Sequence, residues 1–207
     1  MKIVVVSDSH GRNDYVERAV EQAERMGYID VMIHLGDVED DVEELCSMID
    51  GETYVVAGNN DGGLGLPDHQ TIELCGKRIF LTHGHRYMVN YDLNRIGLFG
   101  TMNHMDIVMF GHTHYPYLDR GEDITLLNPG SLTYPRQEGR ARTFMVMEMD
   151  EQGNVEYHWQ ELEEENADAK KADKGNYFIG KLSEKLSGYK DVVLLECADL
   201  WFRYDKD

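Results

Sequence analysis

Cysteine, long apolar runs and secretion signals are scarce or lacking in this sequence, and each lack narrows what the protein can be. The chain has only three cysteines, Cys46, Cys75 and Cys197, and none forms a CxxC pair. Such usage is typical of free thiols in a reducing compartment rather than of a disulfide framework. No apolar run approaches the roughly 18 residues that a membrane span needs, and no signal-peptide pattern follows Met1. We therefore expect a cytoplasmic protein that makes no contact with a membrane.

Basic residues are also few, since 20 of them stand against 39 acidic residues and the formal net charge is −19. A negative field of this size repels nucleic acids and anionic membranes at long range. This balance argues against a nucleic-acid-binding module. It leaves room for a locally positive site, because bound divalent cations can outweigh a few carboxylates.

The first sixty residues alternate buried strands with amphipathic helices. Short β-branched apolar runs predict three strands, at residues 3–6, 31–35 and 53–57. Apolar residues at three- and four-residue spacing predict a helix that is capped by Asn13 or Asp14 and ends at Met26, before Gly27. A second helix is expected over the acidic stretch that ends at Gly51. This β-α-β-α-β order is typical of an α/β fold with a parallel sheet.

The following hundred residues are mostly β. Alternating or apolar runs predict a hairpin that turns at residues 75–77, followed by strands at residues 106–110, 124–127, 143–149 and 155–160. Residues 90–104 have a weak helical pattern, diluted by glycine and asparagine. A second sheet packed on the first is the simplest arrangement of these strands.

The last part of the chain differs in composition. Residues 161–176 are rich in charge and alanine, which predicts an exposed linker or a solvated helix. Residues 178–186 then have helical apolar spacing, and residues 192–195 are apolar. We expect a main domain over residues 1–160 and an extension over residues 161–207. That extension is too short for its own core, so it should pack on the main domain or mediate self-association.

Polar side chains follow five of the predicted strands, at the point where each strand ends. These side chains are Asp8, His10, Asp37, Asn59, His83, His112 and His114. If the strands lie side by side, the seven nitrogen and oxygen donors converge on one edge of the sheet. One divalent ion takes about four to six ligands, so seven donors suit two ions.

A natural division of the donors shares Asp37 as a bridging carboxylate. One ion would take the first ligand set, Asp8, His10, Asp37 and His114, and the other would take the second ligand set, Asp37, Asn59, His83 and His112. Without a thiolate among them, these donors suit Mn²⁺, Fe²⁺, Zn²⁺, Co²⁺ or Ni²⁺, with Mn²⁺ favoured, and they do not suit Cu⁺. Two such ions acidify a bridging water for in-line attack at phosphorus. The bridging hydroxide would be the nucleophile, so no covalent phospho-enzyme is required.

Five motifs in order resemble those of the calcineurin-like metallophosphoesterase family, over about residues 1–160. They are Asp8-x-His10, Gly36-Asp37, Gly58-Asn59-x-Asp61, His83-Gly84-His85 and Gly111-His112-x-His114. Residues 128–131, Asn-Pro-Gly-Ser, point to its small prokaryotic phosphodiesterase branch, which is also similar to the retromer scaffold subunit.

The resemblance implies a fold, a site and an activity. The fold is a four-layer αββα sandwich of two mixed β-sheets flanked by helices, with the C-terminal extension as an appendage. The site holds two divalent ions with the ligands divided as above. The activity is hydrolysis of a small phosphate ester, most simply a phosphodiester. The alternative is a metal-binding scaffold of the same fold that acts through a partner-binding surface.

The sequence departs from the family at one catalytic position. Many members have histidine as the proton donor where this chain has Asn60, and an amide is not a general acid. His85 is a candidate replacement because it lies beside His83. Asp61 is expected to orient a ligating histidine rather than to bind metal itself. We therefore expect a preference for diesters or activated leaving groups over alkyl monoesters.

Other residues have simpler interpretations. Four histidines outside the motifs are expected to lie at the surface or as hydrogen-bonded core groups, at positions 34, 69, 104 and 158. The alternating residues Met145, Met147 and Met149 predict core packing. The acidic stretch 39–44 predicts a solvated helix. Arg136 and Arg140 follow the Asn-Pro-Gly-Ser segment and could contact a substrate phosphate or only solvent.

Overall fold

The computed structural model describes residues 1–164 and consists of two five-stranded mixed sheets with three α-helices. The first sheet has the strand order β10-β9-β1-β2-β3 and the second has the order β4-β5-β6-β8-β7. The strands of the first sheet are β1 (Lys2–Val6), β2 (Val31–His34), β3 (Glu52–Val55), β9 (Thr143–Met149) and β10 (Val155–Glu161). Those of the second sheet are β4 (His69–Leu74), β5 (Lys77–Thr82), β6 (Ile107–Met109), β7 (Pro116–Arg120) and β8 (Thr125–Pro129).

The alternating side chains of β1 explain why the sheets stack. Val4 and Val6 point to one side, where they pack with helix α1 (Asn13–Glu24) and helix α2 (Val42–Cys46). Ile3 and Val5 point to the other side, into a core shared with the second sheet. Because both faces of β1 are buried, its sequence is a continuous β-branched run rather than an alternating one.

A third apolar cluster covers the outer face of the second sheet. Helix α3 (Asn94–Met102) contributes Ile96 there, against Phe80 and Val108 of the sheet. A short 3₁₀ helix, His85–Tyr87, precedes α3. The layers are therefore helix, sheet, sheet and helix, as the resemblance implies. Met145, Met147 and Met149 lie in the core between the sheets, which confirms their predicted packing role.

The parallel strands of both sheets end on the same side of the sandwich. Strands β1, β2 and β3 pair in parallel in the first sheet, and β5, β6 and β8 do so in the second. The carboxyl ends of parallel strands are where α/β folds bind their ligands. The polar segments that follow β1, β2, β5 and β6 therefore meet between the two sheets.

Three local predictions need correction. The residue that precedes the first turn of α1 is Arg12, and Asn13 lies inside the helix, where its side chain donates to the Asp41 carbonyl at 2.9 Å. Helix α2 ends at Cys46 rather than near Gly51. Strand β7 was not predicted, because Pro116 and two charged residues are typical of a loop. Within residues 1–164 this edge strand pairs only with β8.

The hairpin β4–β5 turns at Cys75 and Gly76, both with positive φ, as a two-residue connection between twisted strands requires.

Some predictions lie outside the described residues. They are the linker at 161–176, apart from its first four residues, and the apolar segments at 178–186 and 192–195. The domain boundary at residue 160 and the self-association of the extension stay predictions. Within residues 1–164, no helix is long and apolar enough to cross a membrane.

Two leucines provide a matched test of this packing. Leu81 is fully buried between the sheets, whereas Leu98 on α3 is 62% exposed. Leu81→Ala should lower the free energy of unfolding by about 2–5 kcal/mol, because it removes buried apolar surface and leaves a cavity. Leu98→Ala should change it by less than about 0.5 kcal/mol. Urea denaturation followed by circular dichroism measures both, and equal effects would contradict the two-sheet core.

Candidate metal centre

Three histidines at the meeting point of the two sheets turn the same nitrogen inward. The Nδ1–H of His83 donates to the Leu35 carbonyl at 2.7 Å, and that of His114 donates to the Tyr134 carbonyl at 2.9 Å. His10 Nδ1 lies 2.5 Å from a carboxylate oxygen of Glu39. Because an acceptor holds each Nδ1–H, all three rings turn Nε2 towards the centre, which is how proteins orient imidazoles for a metal ion.

Two carboxylates complete this arrangement. Asp8 Oδ1 lies 3.1 Å from His114 Nε2 and 3.9 Å from His83 Nε2. Asp37 Oδ2 lies 3.5 Å from His83 Nε2 and 3.8 Å from His10 Nε2. These atoms form groups whose members all lie within 4.8 Å of one another: Asp8 with His10 and His114, and Asp8 with Asp37 and His83. Each group offers three ligand atoms to a divalent ion, and Asp8 belongs to both.

Two buried polar atoms of these residues lack hydrogen-bond partners, and a bound cation would give both a partner. Asp8 Oδ1 and His83 Nε2 are both buried and neither has a hydrogen-bond partner. A buried acceptor without a partner costs about 1–3 kcal/mol, and more when it is charged. A divalent ion bound between the two atoms would satisfy both. The donor set therefore fits a divalent metal ion.

The backbone at the site is as unusual as its side chains. Five of the seven predicted ligands have positive φ, between 44° and 65°: Asp8, His10, Asp37, His112 and His114. Left-handed backbone is uncommon for such residues and concentrates at functional sites. Gly58 is required beside them, because a Cβ there would lie 2.1 Å from Asp37 Oδ1. Such sharp turns aim successive side chains of one loop at a common centre.

Both carboxylates stay ionised despite their burial. Burial alone would raise the pKa of Asp8, but the close approach of His114 and the charge of His83 lower it below its usual value. Burial likewise opposes ionisation of Asp37, whereas the close approach and the charge of His83 bring its pKa down to about 2. The site therefore carries two negative charges at neutral pH.

The same contacts raise the pKa values of two of the imidazoles, those of His83 and His114. Burial tends to lower the pKa of His83, but its contact with Asp37 and the charge of Asp8 raise it above the usual value. Burial and the contact with Asp8 oppose each other in the same way at His114, whose pKa is also raised. Protons on these two histidines therefore occupy the position that a cation would take.

The second ligand set is less fully assembled than the first. The ring of His112 lies 5.1 Å from that of His83, and burial together with His83 lowers its pKa to about 4. Its backbone N–H donates to Asp8 Oδ2 at 3.1 Å. Asn59 is exposed, and its amide donates to Asn60 Oδ1 at 3.1 Å. The structure thus brings five of the seven predicted donors together, places the His112 ring beside His83, and leaves the Asn59 side chain exposed at the rim.

His85 and Asp61, the other two residues predicted to act in catalysis, lie beside the predicted ligands but in different surroundings from each other. The ring of His85 lies 5.5 Å from that of His83, its Nδ1 is buried without a partner, and burial lowers its pKa. Asp61 is buried, and its two oxygens accept the backbone N–H groups of Gly58 and Glu39. It therefore joins the loops after β2 and β3, whereas the sequence predicted that it would orient a histidine.

Asn60 has a structural role at the bridging carboxylate. Its backbone N–H and its side-chain amide each donate to a different oxygen of Asp37, both at 3.0 Å. The amide therefore holds the orientation of the residue that both ligand sets share. The side-chain amide can hold Asp37 in this way because its NH₂ group is a hydrogen-bond donor.

Sequence reasoning missed Glu39. It was included in the acidic stretch that predicts a solvated helix, but it lies before α2 and contacts His10. Its own φ is +55°, and its carboxylate lies within 4.8 Å of possible ligand atoms of His10 and Asp37. The available signal was its position two residues after Asp37, which repeats the spacing between Asp8 and His10.

The Asn-Pro-Gly-Ser segment forms hydrogen bonds with the loops that carry the predicted ligands. The side-chain amide of Asn128 donates to the Gly111 carbonyl at 2.7 Å, which fixes the turn before His112. The hydroxyls of Ser131 and Thr133 both donate to the Asp8 carbonyl, at 3.0 and 2.6 Å. This segment therefore ties the loop of the first sheet to that of the second.

Among the histidines outside the motifs, His34 forms hydrogen bonds with two of the loops that carry predicted ligands, those after β1 and β2. It is fully buried, its Nε2 lies 3.0 Å from Ser9 Oγ, and its Nδ1 accepts the Gly36 N–H at 3.2 Å. Burial lowers its pKa to about 4, so the ring is neutral and can accept at one nitrogen while it donates at the other. His69 and His104 are exposed, and His158 is partly buried. All four match the prediction of surface or hydrogen-bonded core groups.

Comparison with known proteins gives one consistent result. The sequence model of the calcineurin-like phosphoesterase superfamily domain matches residues 1–152. The probable metallophosphoesterase MJ0623 of Methanocaldococcus jannaschii is 35% identical over 136 residues, which cover 66% of this chain and 70% of that protein. The phosphodiesterase YfcE of Escherichia coli is 29% identical over 163 residues, which cover 66% of this chain and 82% of that protein.

A solved structure extends the comparison to the fold. Wild-type Vps29 from Entamoeba histolytica, in complex with Zn²⁺, superimposes with a TM-score of 0.62 over 79% of this chain and all of that one. Its sequence identity of 20% means that the likeness concerns the fold alone. The predicted similarity to both kinds of relative is thereby confirmed.

Metal affinity should depend on pH in a definite direction. A divalent ion must displace the protons that the raised pKa values of His83 and His114 keep in place. Lowering the pH from about 8 to about 6 should therefore weaken Mn²⁺ binding by at least about tenfold. Calorimetric titration measures this, with circular dichroism confirming the fold at each pH. An affinity that is independent of pH would contradict the assignment of these two imidazoles as ligands.

Glu39 should affect metal affinity through His10. Glu39→Gln removes the charged acceptor of the His10 Nδ1–H, and losing such a contact typically costs about 10–100-fold in affinity. We expect a loss of about tenfold, because the Glu39 side chain is partly exposed. Glu43→Gln is the matched control, since it removes the same charge from an exposed position in the first turn of α2. Equal effects of the two variants would attribute the change to net charge alone.

Proposed function

Since this chain belongs to the calcineurin-like phosphoesterase superfamily, we propose that it is a phosphodiesterase that depends on two divalent metal ions. The observation that carries the proposal is the convergence of three Nε2 atoms and two ionised carboxylates on one buried point. Surface clusters of acids are common, but histidines whose outer nitrogens are all held by acceptors are characteristic of metal ligands.

In this proposal, the first ligand set (Asp8, His10, Asp37, His114) holds one ion and the second (Asp37, Asn59, His83, His112) holds the other. When bound, the two ions would acidify a water and neutralise charge on the phosphoryl oxygens. Asn60 keeps Asp37 oriented between the two sets, and the Asn-Pro-Gly-Ser segment keeps Asp8 in place. Mn²⁺ is our first choice among Mn²⁺, Ni²⁺, Fe²⁺, Zn²⁺ and Co²⁺, all of which accept nitrogen and oxygen ligands.

The substrate class follows from the missing proton donor. The Asn60 amide donates to Asp37, and an amide does not supply a proton to a departing alkoxide. A leaving group that is already acidic needs no such help. The relative named as a phosphodiesterase, YfcE, supports diesters as the substrate. We therefore propose small phosphodiesters as substrates, with neither a membrane nor a nucleic acid as partner, in keeping with the net charge of −19.

The scaffold alternative is less favoured. All seven predicted donors carry atoms that can bind a metal ion, and the supporting contacts of His10, His83 and His114 are complete. A protein that served only as a platform would have no need for charged groups buried at this cost.

The decisive experiment is hydrolysis of bis-p-nitrophenyl phosphate by metal-stripped protein to which Mn²⁺, Ni²⁺, Zn²⁺ or Mg²⁺ is added back. We expect metal-dependent turnover, which Asp37→Asn and His112→Ala should each reduce by more than about 100-fold, because both remove a direct ligand. His112→Ala should also lower the number of bound ions per chain from two to one, as measured by equilibrium dialysis and elemental analysis.

Matched controls are Asp119→Asn and His104→Ala, which make the same chemical changes at exposed positions away from the site. An alkyl monoester assayed in parallel should be hydrolysed much more slowly than the aryl diester. Comparable rates would contradict the argument from Asn60. A folded protein that binds two ions but hydrolyses neither ester would refute the enzymatic proposal and favour the scaffold.

A further inference from the structure

Tyr134 is an exposed aromatic residue at the mouth of the metal centre. Its side chain is 61% exposed, although its ring lies against two of the predicted ligands. The ring centroid is 5.1 Å from that of His10, and it is stacked on His114 at 6.4 Å with an angle of 16° between the planes. Large aromatic side chains gain free energy by burial, so an aromatic ring left open beside a catalytic centre suggests a binding surface.

The backbone of Tyr134 is fixed on both sides. Its N–H donates to Ser131 Oγ at 2.9 Å, and its carbonyl accepts the His114 Nδ1–H at 2.9 Å. Ser131 in turn donates to the Asp8 carbonyl. The main chain of Tyr134 is therefore part of the frame that orients the ligands, and it fixes the point from which the ring extends beside His10 and His114. A preorganised aromatic surface binds a ligand at little cost in conformational entropy.

The position of the ring determines which part of a substrate it can touch. His10 Nε2 and His114 Nε2 lie 3.4 Å apart, and both belong to the first ligand set. A phosphoryl group held at that set would place one of its ester groups beside the rings that contact Tyr134. Charged side chains of both signs lie near these rings: the Glu39 carboxylate contacts His10, and the charge of Arg136 acts on His114. Because the two charges are opposite in sign, they favour neither an anionic nor a cationic ester group. A neutral aromatic ring is the chemical group that suits this surface best.

We propose that Tyr134 is a substrate-binding residue whose exposed ring stacks on an aromatic ester group of the phosphate substrate. The site would consequently select aryl phosphates over alkyl phosphates by binding. This inference rests on the proposed function and adds specificity to it. It also agrees with the need for an acidic leaving group, since phenols are far more acidic than alcohols.

The test compares two ligands that differ only in the ring. Phenylphosphonate and methylphosphonate have the same acidic group, and neither can be hydrolysed because carbon is bonded directly to phosphorus. Calorimetric titration of the Mn²⁺-loaded full-length protein should give a Kd about fivefold lower for phenylphosphonate, the size expected for one aromatic stack. Tyr134→Phe should keep this preference. Tyr134→Ala and Tyr134→Leu should bring the two Kd values to within about twofold of each other.

A control and a second readout separate substrate binding from a structural role. Tyr28→Ala is the matched control, because Tyr28 is 66% exposed and lies just before β2, at the opposite end of the strands. If the ring served only to support His10 and His114, Tyr134→Leu would weaken both phosphonates equally and reduce the number of bound ions. That result would overturn the proposal, as would equal Kd values for the two ligands in the unmodified protein.

The two proposals fail in different ways. Metal-dependent hydrolysis of bis-p-nitrophenyl phosphate without a preference for phenylphosphonate would leave the phosphodiesterase intact and overturn the role of Tyr134. A preference for phenylphosphonate that disappears in Tyr134→Leu would support that role, and it is measured without any turnover. Absence of hydrolysis in the same preparation would then count against the proposed reaction alone.

Discussion

Two ionised carboxylates, Asp8 and Asp37, lie almost fully buried where the sheets meet, and the surrounding structure depends on keeping them charged there. A buried anion is stable only when it is paired and hydrogen-bonded. Imidazoles of His10, His83 and His114 provide positive charge or a place for it. Each imidazole needs its own acceptor on the outer side. Keeping the two carboxylates charged therefore also requires the carbonyls and hydroxyls of the neighbouring loops, which hold the imidazoles and the Asp8 backbone in place.

The two-sheet architecture meets this requirement because each sheet provides part of the centre. Asp8, His10 and Asp37 follow strands of the first sheet, whereas His83, His112 and His114 follow strands of the second. The apolar core between the sheets, which includes Ile3, Val5, Ile79 and Met145, fixes their separation. Rigid packing of this kind controls ligand positions more closely than the loops could alone. Stability and function are therefore linked through the same interface.

The proposed choice of substrate rests on residues that hold the site in place as much as on the predicted ligands. The Asn60 amide donates to Asp37, and the Tyr134 carbonyl accepts from His114, so both residues belong to the frame of the centre. The Asn60 amide supplies no acidic proton to a leaving group, and the aromatic ring of Tyr134 is open to solvent. Under the proposed function, both properties favour esters with aromatic, acidic leaving groups. The negative charge of the chain, −19 in total, further disfavours polyanions.

The sequence by itself determined the layered α/β fold and five of the side chains that meet between the sheets, Asp8, His10, Asp37, His83 and His114. Each motif follows an apolar run, and the runs 3–6, 31–35 and 106–110 are too β-branched and too short for helices. Glycine before Asp37, Asn59 and His112 marked the sharp turns. Strand β7 was missed because its polar edge composition matches that of a loop.

Only the tertiary structure decided how the side chains around the ligands are used. Glu39 contacts His10 from a loop 29 residues away, and Asp61 binds backbone amides where a histidine contact was predicted. Likewise, Tyr134 lies beside His10 although 124 residues separate them in the chain. A sequence pattern reports the periodicity of one segment, because burial follows from that segment's own geometry. Contacts between loops depend on where two sheets place their ends, and that is set by packing over the whole core.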